Sequence, residues 1–328
     1  MSANHSSAPD RVGFLLVPGF SMMALTAATE PLRSANRISG RALYEWSLLS
    51  ADGRSVRSGS DFELICQPAL ERTRALDLVF VVASLDLEGY RDRGVFSWLR
   101  KLAARGVPLG ALSNGTLLLA RAGLLHGYRC TIHWERLLAL IEEQPDCVVE
   151  RVLYCIDRDR MTAAGGVAAL DLMLALISRK HGQRLTADIA DNFLYGRFRS
   201  GSETQRMDVR WRYGVSDERM AKAVLLMEAN ITNPLPTGAL ATLVGTSERQ
   251  LERSFNKVFG KGPAKFYMEL RLKEAHKLLM QSTRSITEIA LTCGFSSSSH
   301  LGHNYRSRFG ITPGRTRAAN SAKPAPSQ

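Results

Sequence analysis

The chain reads LATLVGTSERQLERSFNKVFGKGP over residues 240–263 and, fifty residues later, ALTCGFSSSSHLGHNYRSRFGITP over residues 290–313. Leu251, Phe255, Phe259, Gly260 and Pro263 recur as Leu301, Tyr305, Phe309, Gly310 and Pro313, so two equivalent supersecondary units follow one another. In the first, Leu240 to Val244 predicts a short helix, Gly245-Thr246 a turn, and Ser247 with Gln250 a capping box that opens a second helix. In the second, Ser285 and Glu288 cap a helix holding Ile286, Ile289 and Ala290, Gly294 supplies the turn, and another helix begins near Ser297. The layout is helix, turn, helix, made twice.

On the second helix of the first unit, Leu251, Phe255 and Val258 share one face, which turns Arg249, Glu252, Arg253 and Asn256 away from it. A polar, partly cationic helix face suits the major groove, where Arg binds guanine through two bonds and Glu accepts from the cytosine amino group. The matching face of the second unit carries Ser299, Gly302, His303 and Arg306. Its donors are shorter, and a glycine inside a helix costs about 1 kcal/mol, so this face is expected to discriminate bases less sharply. A plain helical bundle also exposes solvated polar faces. The register of the two copies and the local charge favour nucleic acid instead: from Ala223 to Arg317, Lys and Arg outnumber Asp and Glu by 13 to 6, which supplies +7 of the chain's +12.

Outward from this region, 328 residues exceed one average domain, and 45% apolar with 23% charged residues is a globular composition. Five cysteines without motif spacing argue against a disulfide framework or a zinc site. Neither a metal nor a cofactor is expected. The polar start has no signal-peptide core, and no uncharged apolar run reaches the roughly 18 residues of a membrane span. A cytoplasmic protein with no membrane partner follows. The expected order is a disordered leader over 1–10, a first domain over 11–199, a linker over 200–217, a helical domain over 218–317 and a disordered tail over 318–328.

In the first domain, Val12 to Val17, Tyr44 to Leu49, Leu78 to Ala83 and Val107 to Leu112 are near-continuous apolar runs, with helical patterns between them such as Phe96 to Ala104. Strands covered on both faces read this way, which predicts a mostly parallel α/β sheet. Val152 to Ile156 and Met161 to Ala163 suggest a hairpin, followed by an apolar helix from Val167 to Ser178. Residues 110–127, GALSNGTLLLARAGLLHG, run from a strand through Ser113-Asn114-Gly115 straight into a helix. Such an elbow places Ser113 at the carboxyl end of a parallel strand, where open α/β sheets bind ligands.

Two resemblances follow from these motifs. Residues 240–317 resemble the AraC/XylS-type DNA-binding domain. That resemblance implies two recognition helices in successive major grooves, joined by a long helix over 264–281, with promoter DNA and RNA polymerase as partners. By position, Arg249, Glu252 and Arg253 match its base-reading places in the first unit, and Ser298, Ser299 and His303 those in the second, where relatives often carry Arg in place of His303. The first domain, through PGFS at Pro18, EPLRSAN at Glu30, the elbow, LARAGLLHG, TIHW and AAGGVAALDL, resembles the flavodoxin-like, glutamine-amidotransferase-like (PfpI-type) domain of GlxA-like regulators.

Catalytic members of that family hold a Cys at the elbow and an acidic helper near the first strand; this chain has Ser113 and Ala24. A serine hydroxyl without an activating base is a poor nucleophile, so no catalytic residue is expected, and the first domain reads as a sensor. An alternative keeps Ser113 with His133 as an amidase or hydrolase pair. Expected ligand contacts are Ser113, Asn114, His133, Trp134 and Glu30. Regulators of this kind whose elbow lacks Cys resemble those controlling catabolism of arginine, carnitine or glycine betaine. That likeness implies activation by a small carboxylate with a cationic nitrogen, of amino-acid or quaternary-ammonium type, the carboxylate fitting the elbow amides and the cation resting on Trp46, Trp134 or an acidic side chain. A homodimer formed through the first domain is the expected assembly.

Overall fold

The structure, a computed structural model, describes residues 8–70, 75–84, 87, 90–282 and 284–321. Two compact units divide between Gln205 and Arg206. The first contains strands β1 (Asp10–Leu16), β2 (Tyr44–Ser50), β3 (Val56–Arg57), β4 (Glu63–Leu64), β5 (Gln67–Pro68), β6 (Leu78–Ala83), β7 (Leu109–Ser113), β8 (Arg129–Cys130), β9 (Val148–Val149), β10 (Tyr154–Asp157) and β11 (Arg160–Ala163). Its helices are α1 (Met22–Ser39), α2 (Arg93–Ala104), α3 (Gly115–Arg121), α4 (Leu137–Glu143), α5 (Ala168–His181) and α6 (Gln183–Asn192).

Seven strands form one sheet in the order β10-β11-β7-β6-β1-β2-β5, parallel throughout except for the β10–β11 hairpin. The central strands are apolar along their length because both faces are covered. Phe14, Phe80 and Leu112 meet α1, α5 and α6 on one face, while Leu15, Val81 and Ala111 meet α2, α3 and α4 on the other. Asp10, expected in the leader, already belongs to β1.

The second unit is helical throughout its described residues: α7 (Val209–Tyr213), α8 (Glu218–Ala229), α9 (Thr237–Leu243), α10 (Glu248–Phe259), α11 (Pro263–Gln281), α12 (Ile286–Thr292), α13 (Ser298–Phe309) and α14 (Pro313–Ser321). The expected linker is partly structured. Gln205 bonds back into the first unit, and Val209 and Val215 are buried in the core of the second. α14 continues to Ser321, past Ala318 where the tail was expected to begin, while residues 1–7 and 322–328 lie outside the described residues.

Two local expectations are corrected. Val258 is 43% exposed and Phe259 packs inward in its place; at 3.6 residues per turn Phe259 lies about 40° from Phe255 and Val258 about 60°, and the Phe259 ring stacks on Phe266 of α11 at 4.4 Å. At α10 the Ser247 hydroxyl accepts from the Gln250 amide, but the reciprocal bond is absent among the described residues. The full capping box is made at α12, between Ser285 and Glu288.

Candidate functional site

The two helix-turn-helix units are built from α9 and α10 and from α12 and α13. Gly245 and Gly294 make the turns at φ +69° and +71°, and Ser247 and Ser297 cap the second helices through bonds from Gln250 N and His300 N. Both second helices stop on a left-handed glycine, Gly260 and Gly310, and both next helices begin at proline, Pro263 and Pro313. Burial over residues 251–260 repeats position by position over 301–310. Leu251 and Phe255, like Leu301 and Tyr305, point inward.

On the outward faces, Arg249, Arg253 and Asn256 are exposed on α10, and Ser299, His303 and Arg306 on α13, with Glu252 and Ser298 half-buried. The guanidinium groups of Arg249, Arg253 and Arg306 enter no ion pair among the described residues, unlike Lys261, which is tied to Glu269 at 2.9 Å. Glu252 leans toward Gly262, where an added Cβ would sit 2.5 Å from its Oε2, and Asn256 Nδ2 donates back to the Glu252 carbonyl at 3.0 Å. The long helix α11 fixes the second turn. Arg271, buried, donates from Nε to the Cys293 carbonyl at 2.8 Å and from Nη2 to the Gly294 carbonyl, and lies 4.3 Å from the centre of the Phe295 ring. Burial pulls this guanidinium below its ordinary pKa.

In the first unit Ser113 ends β7 at φ +58°, an uncommon conformation for a side-chain-bearing residue. The strand passes into α3 through Gly115, where a Cβ would lie 2.1 Å from the Val81 carbonyl oxygen. Asn114 Nδ2 donates to the Ser84 carbonyl at 2.9 Å, while its buried Oδ1 has no hydrogen-bond partner among the described residues. Gly165 packs on the elbow, an added Cβ there lying 2.6 Å from Ser113 Cβ.

Next to Gly165 opens a cavity of about 180 Å³ whose walls include His133, Trp134, Ala168, Arg199 and Gln205. His133 Nδ1 accepts from the Glu135 amide at 3.4 Å and lies 3.8 Å from Glu135 Oε2. The structure thus brings His133 and Trp134 together. Ser113 and Asn114 are not among the lining residues, and neither is Trp46 on β2. Glu30 sits in the middle of α1, half-exposed and ion-paired with Arg33 at 2.7 Å, and is not among the residues that line the cavity.

Sequence reasoning missed Arg199, Gln205 and Asp171. Asp171, fully buried on α5, accepts from Tyr195 Oη at 2.9 Å, Arg199 Nη2 at 2.6 Å and the Arg199 amide at 3.2 Å. Burial pushes its carboxyl pKa up, and these bonds oppose the rise. Gln205 Nε2 donates to Thr131 Oγ1, the Ile132 carbonyl and the Val152 carbonyl at 2.9–3.0 Å. The one available signal was Asp171, an acid within the apolar run VAALDLMLALI, because a buried carboxylate requires a partner.

Residues 10–179 match the DJ-1/PfpI family, and residues 240–319 match a helix-turn-helix domain. The HTH-type transcriptional regulator GbdR of Pseudomonas aeruginosa is 41% identical over 305 residues, which cover 93% of this chain and 83% of that protein. The HTH-type transcriptional regulator GlxA of Rhizobium meliloti is 36% identical over 308 residues, covering 94% and 95%. A crystal structure of an AraC family transcriptional regulator from Pseudomonas putida aligns with TM-score 0.52 at 34% identity, over 56% of this chain and 100% of that one.

Proposed function

The chain belongs to the GlxA-like family of transcriptional regulators, which join a flavodoxin-like DJ-1/PfpI domain to an AraC-type helix-turn-helix domain, and from that premise we propose an effector-responsive activator of catabolic genes. In this reading α10 presents Arg249, Glu252, Arg253 and Asn256 to promoter DNA, and α13 presents Ser298, Ser299, His303 and Arg306. The observation that carries it is the fifty-residue repeat of burial, with Arg249, Arg253 and Arg306 exposed and outside any ion pair among the described residues. Guanidinium groups held this way are available for guanine edges and phosphates.

The first unit is a sensor for a small amino-acid-like or betaine-like carboxylate and performs no reaction. No base hydrogen-bonds the Ser113 hydroxyl among the described residues, and His133 Nδ1 is engaged by Glu135, which disfavours a Ser113-His133 hydrolase. The protein acts in the cytoplasm as a homodimer that matches paired half-sites and engages RNA polymerase. Effector binding shifts activity because the active arrangement binds it more tightly than the inactive one.

The test is fluorescence anisotropy of the full chain on its own promoter fragment and on a scrambled duplex at moderate salt. A preference of about a thousandfold or more is expected; equal affinity for both would sink the reading. Screening amino acids and betaines for a raised melting temperature tests the sensor half, since a ligand of the folded state stabilises it by mass action.

A further inference from the structure

The cavity beside the elbow contains a guanidinium that is fixed on two edges and open on the third. Arg199 Nε donates to Tyr195 Oη at 2.9 Å, and Nη2 donates to Asp171 Oδ2 at 2.6 Å. Asp171 is itself fully buried and also receives the Tyr195 hydroxyl, so the aspartate and tyrosine lock the plane of the guanidinium before any ligand arrives. Nη1 has no acceptor among the described residues, and Arg199 lines the cavity. The side chain is 31% accessible, so the group is reachable from the cavity yet partly shielded from water.

We propose that Arg199 is the effector's carboxylate receptor: the free Nη1 edge, held by Asp171 and Tyr195, binds the carboxylate of a small metabolite in the cavity walled by His133, Trp134 and Gln205. The proposal rests on the sensor reading above and locates its ligand. It moves the anion from the Ser113 elbow to a residue at the end of the first unit. An arginine clamped by one carboxylate keeps donors for a second, and its planar fork loses little freedom on binding. The effector therefore completes a bridge, carboxylate to guanidinium to buried Asp171, that ties residues 195–205 to the first turn of α5.

The experiment is calorimetric titration of the full chain with glycine betaine, carnitine, glycine and L-arginine, and with the carboxamide of each. Variants are Arg199→Lys, which keeps the charge beside Asp171 but removes the fork, and the paired replacement Asp171→Asn with Arg199→Gln, which leaves no lone buried charge. In the unaltered chain at least one carboxylate binds, and its carboxamide binds about 10-fold to 100-fold more weakly, as expected for losing hydrogen bonds to a charged group. In both variants that discrimination falls to within a few fold. Carboxylate and carboxamide binding alike, or variants that keep the discrimination, overturn the role of Arg199 and leave a sensor of another design. Binding by none of the eight compounds overturns the sensor reading together with this site.

Discussion

The two helix-turn-helix units share one scaffold and differ in what fills it. In the first, Phe255 meets Phe266 edge-on at 5.5 Å, a contact between two rings. In the second the equivalent pair is Tyr305 and Thr316, joined by a hydrogen bond of 3.0 Å, with His276 Nδ1 also at the Tyr305 hydroxyl. A hydroxyl added to one member of the pair is matched by a hydroxyl on the other, so neither pair leaves an unpaired hydroxyl among the described residues. The outward faces diverge as well: α10 offers exposed Arg249 and Arg253 where the matching positions of α13 carry Ser299 and His303, while the exposed arginines of α13, Arg306 and Arg308, lie in its last turn. Repetition keeps the frame, and under the proposed function base discrimination is expected mainly from the first copy.

The largest effect expected from breaking this comparison is Phe255→Ala, which should cost about 3 to 5 kcal/mol in urea unfolding through the cavity left behind. On DNA, Arg253→Ala should weaken operator binding by about 1 to 3 kcal/mol and relax base choice at one position, whereas His303→Ala should cost less than about 1 kcal/mol. Anisotropy on single-base operator variants checks both; equal losses would erase the asymmetry between the copies. Exchanging the core chemistry sharpens it further. Phe255→Tyr places a hydroxyl against Phe266 and should cost about 1 to 3 kcal/mol, while Tyr305→Phe should cost about 1 kcal/mol; the reverse order in denaturant unfolding would contradict the matched-pair account.

The smallest expected effect is a pH dependence. Burial lowers the His276 pKa, so the unfolded chain takes up the proton first. Stability is complete above the unfolded imidazole value of about 6.5 and falls as pH drops through it towards the depressed folded value. His276→Gln should flatten part of the melting-temperature profile between neutral and acidic pH. His181 in the first unit, also depressed by burial, supplies a second contribution that this variant leaves in place.

The repeat made the helical unit legible down to its caps, because Ser, Gly and Pro at fixed offsets dictate where helices start and stop. Val258 was misplaced because periodicity over one helix leaves i+7 and i+8 ambiguous, and only packing against α11 decides for Phe259. The sheet was legible from its apolar runs, as was the elbow from Ser113-Asn114-Gly115. The cavity was not. Arg199 and Gln205 lie at the edge of a stretch without period, and they reach the site through tertiary contacts with Asp171 and Thr131 that no local pattern encodes.

Arg271 and the close approach of Gly294 to the Ile231 carbonyl and Pro234 join the second turn to both α11 and the loop before α9. The nineteen-residue α11 measures about 28 Å at 1.5 Å per residue, so the helical unit is a ruler with fixed ends. An operator read by both copies must keep one separation between its two contacted segments. Inserting a single base pair there swings one segment about the duplex axis by about a tenth of a turn and should abolish simultaneous engagement, while ten added pairs restore the angle but overrun the reach.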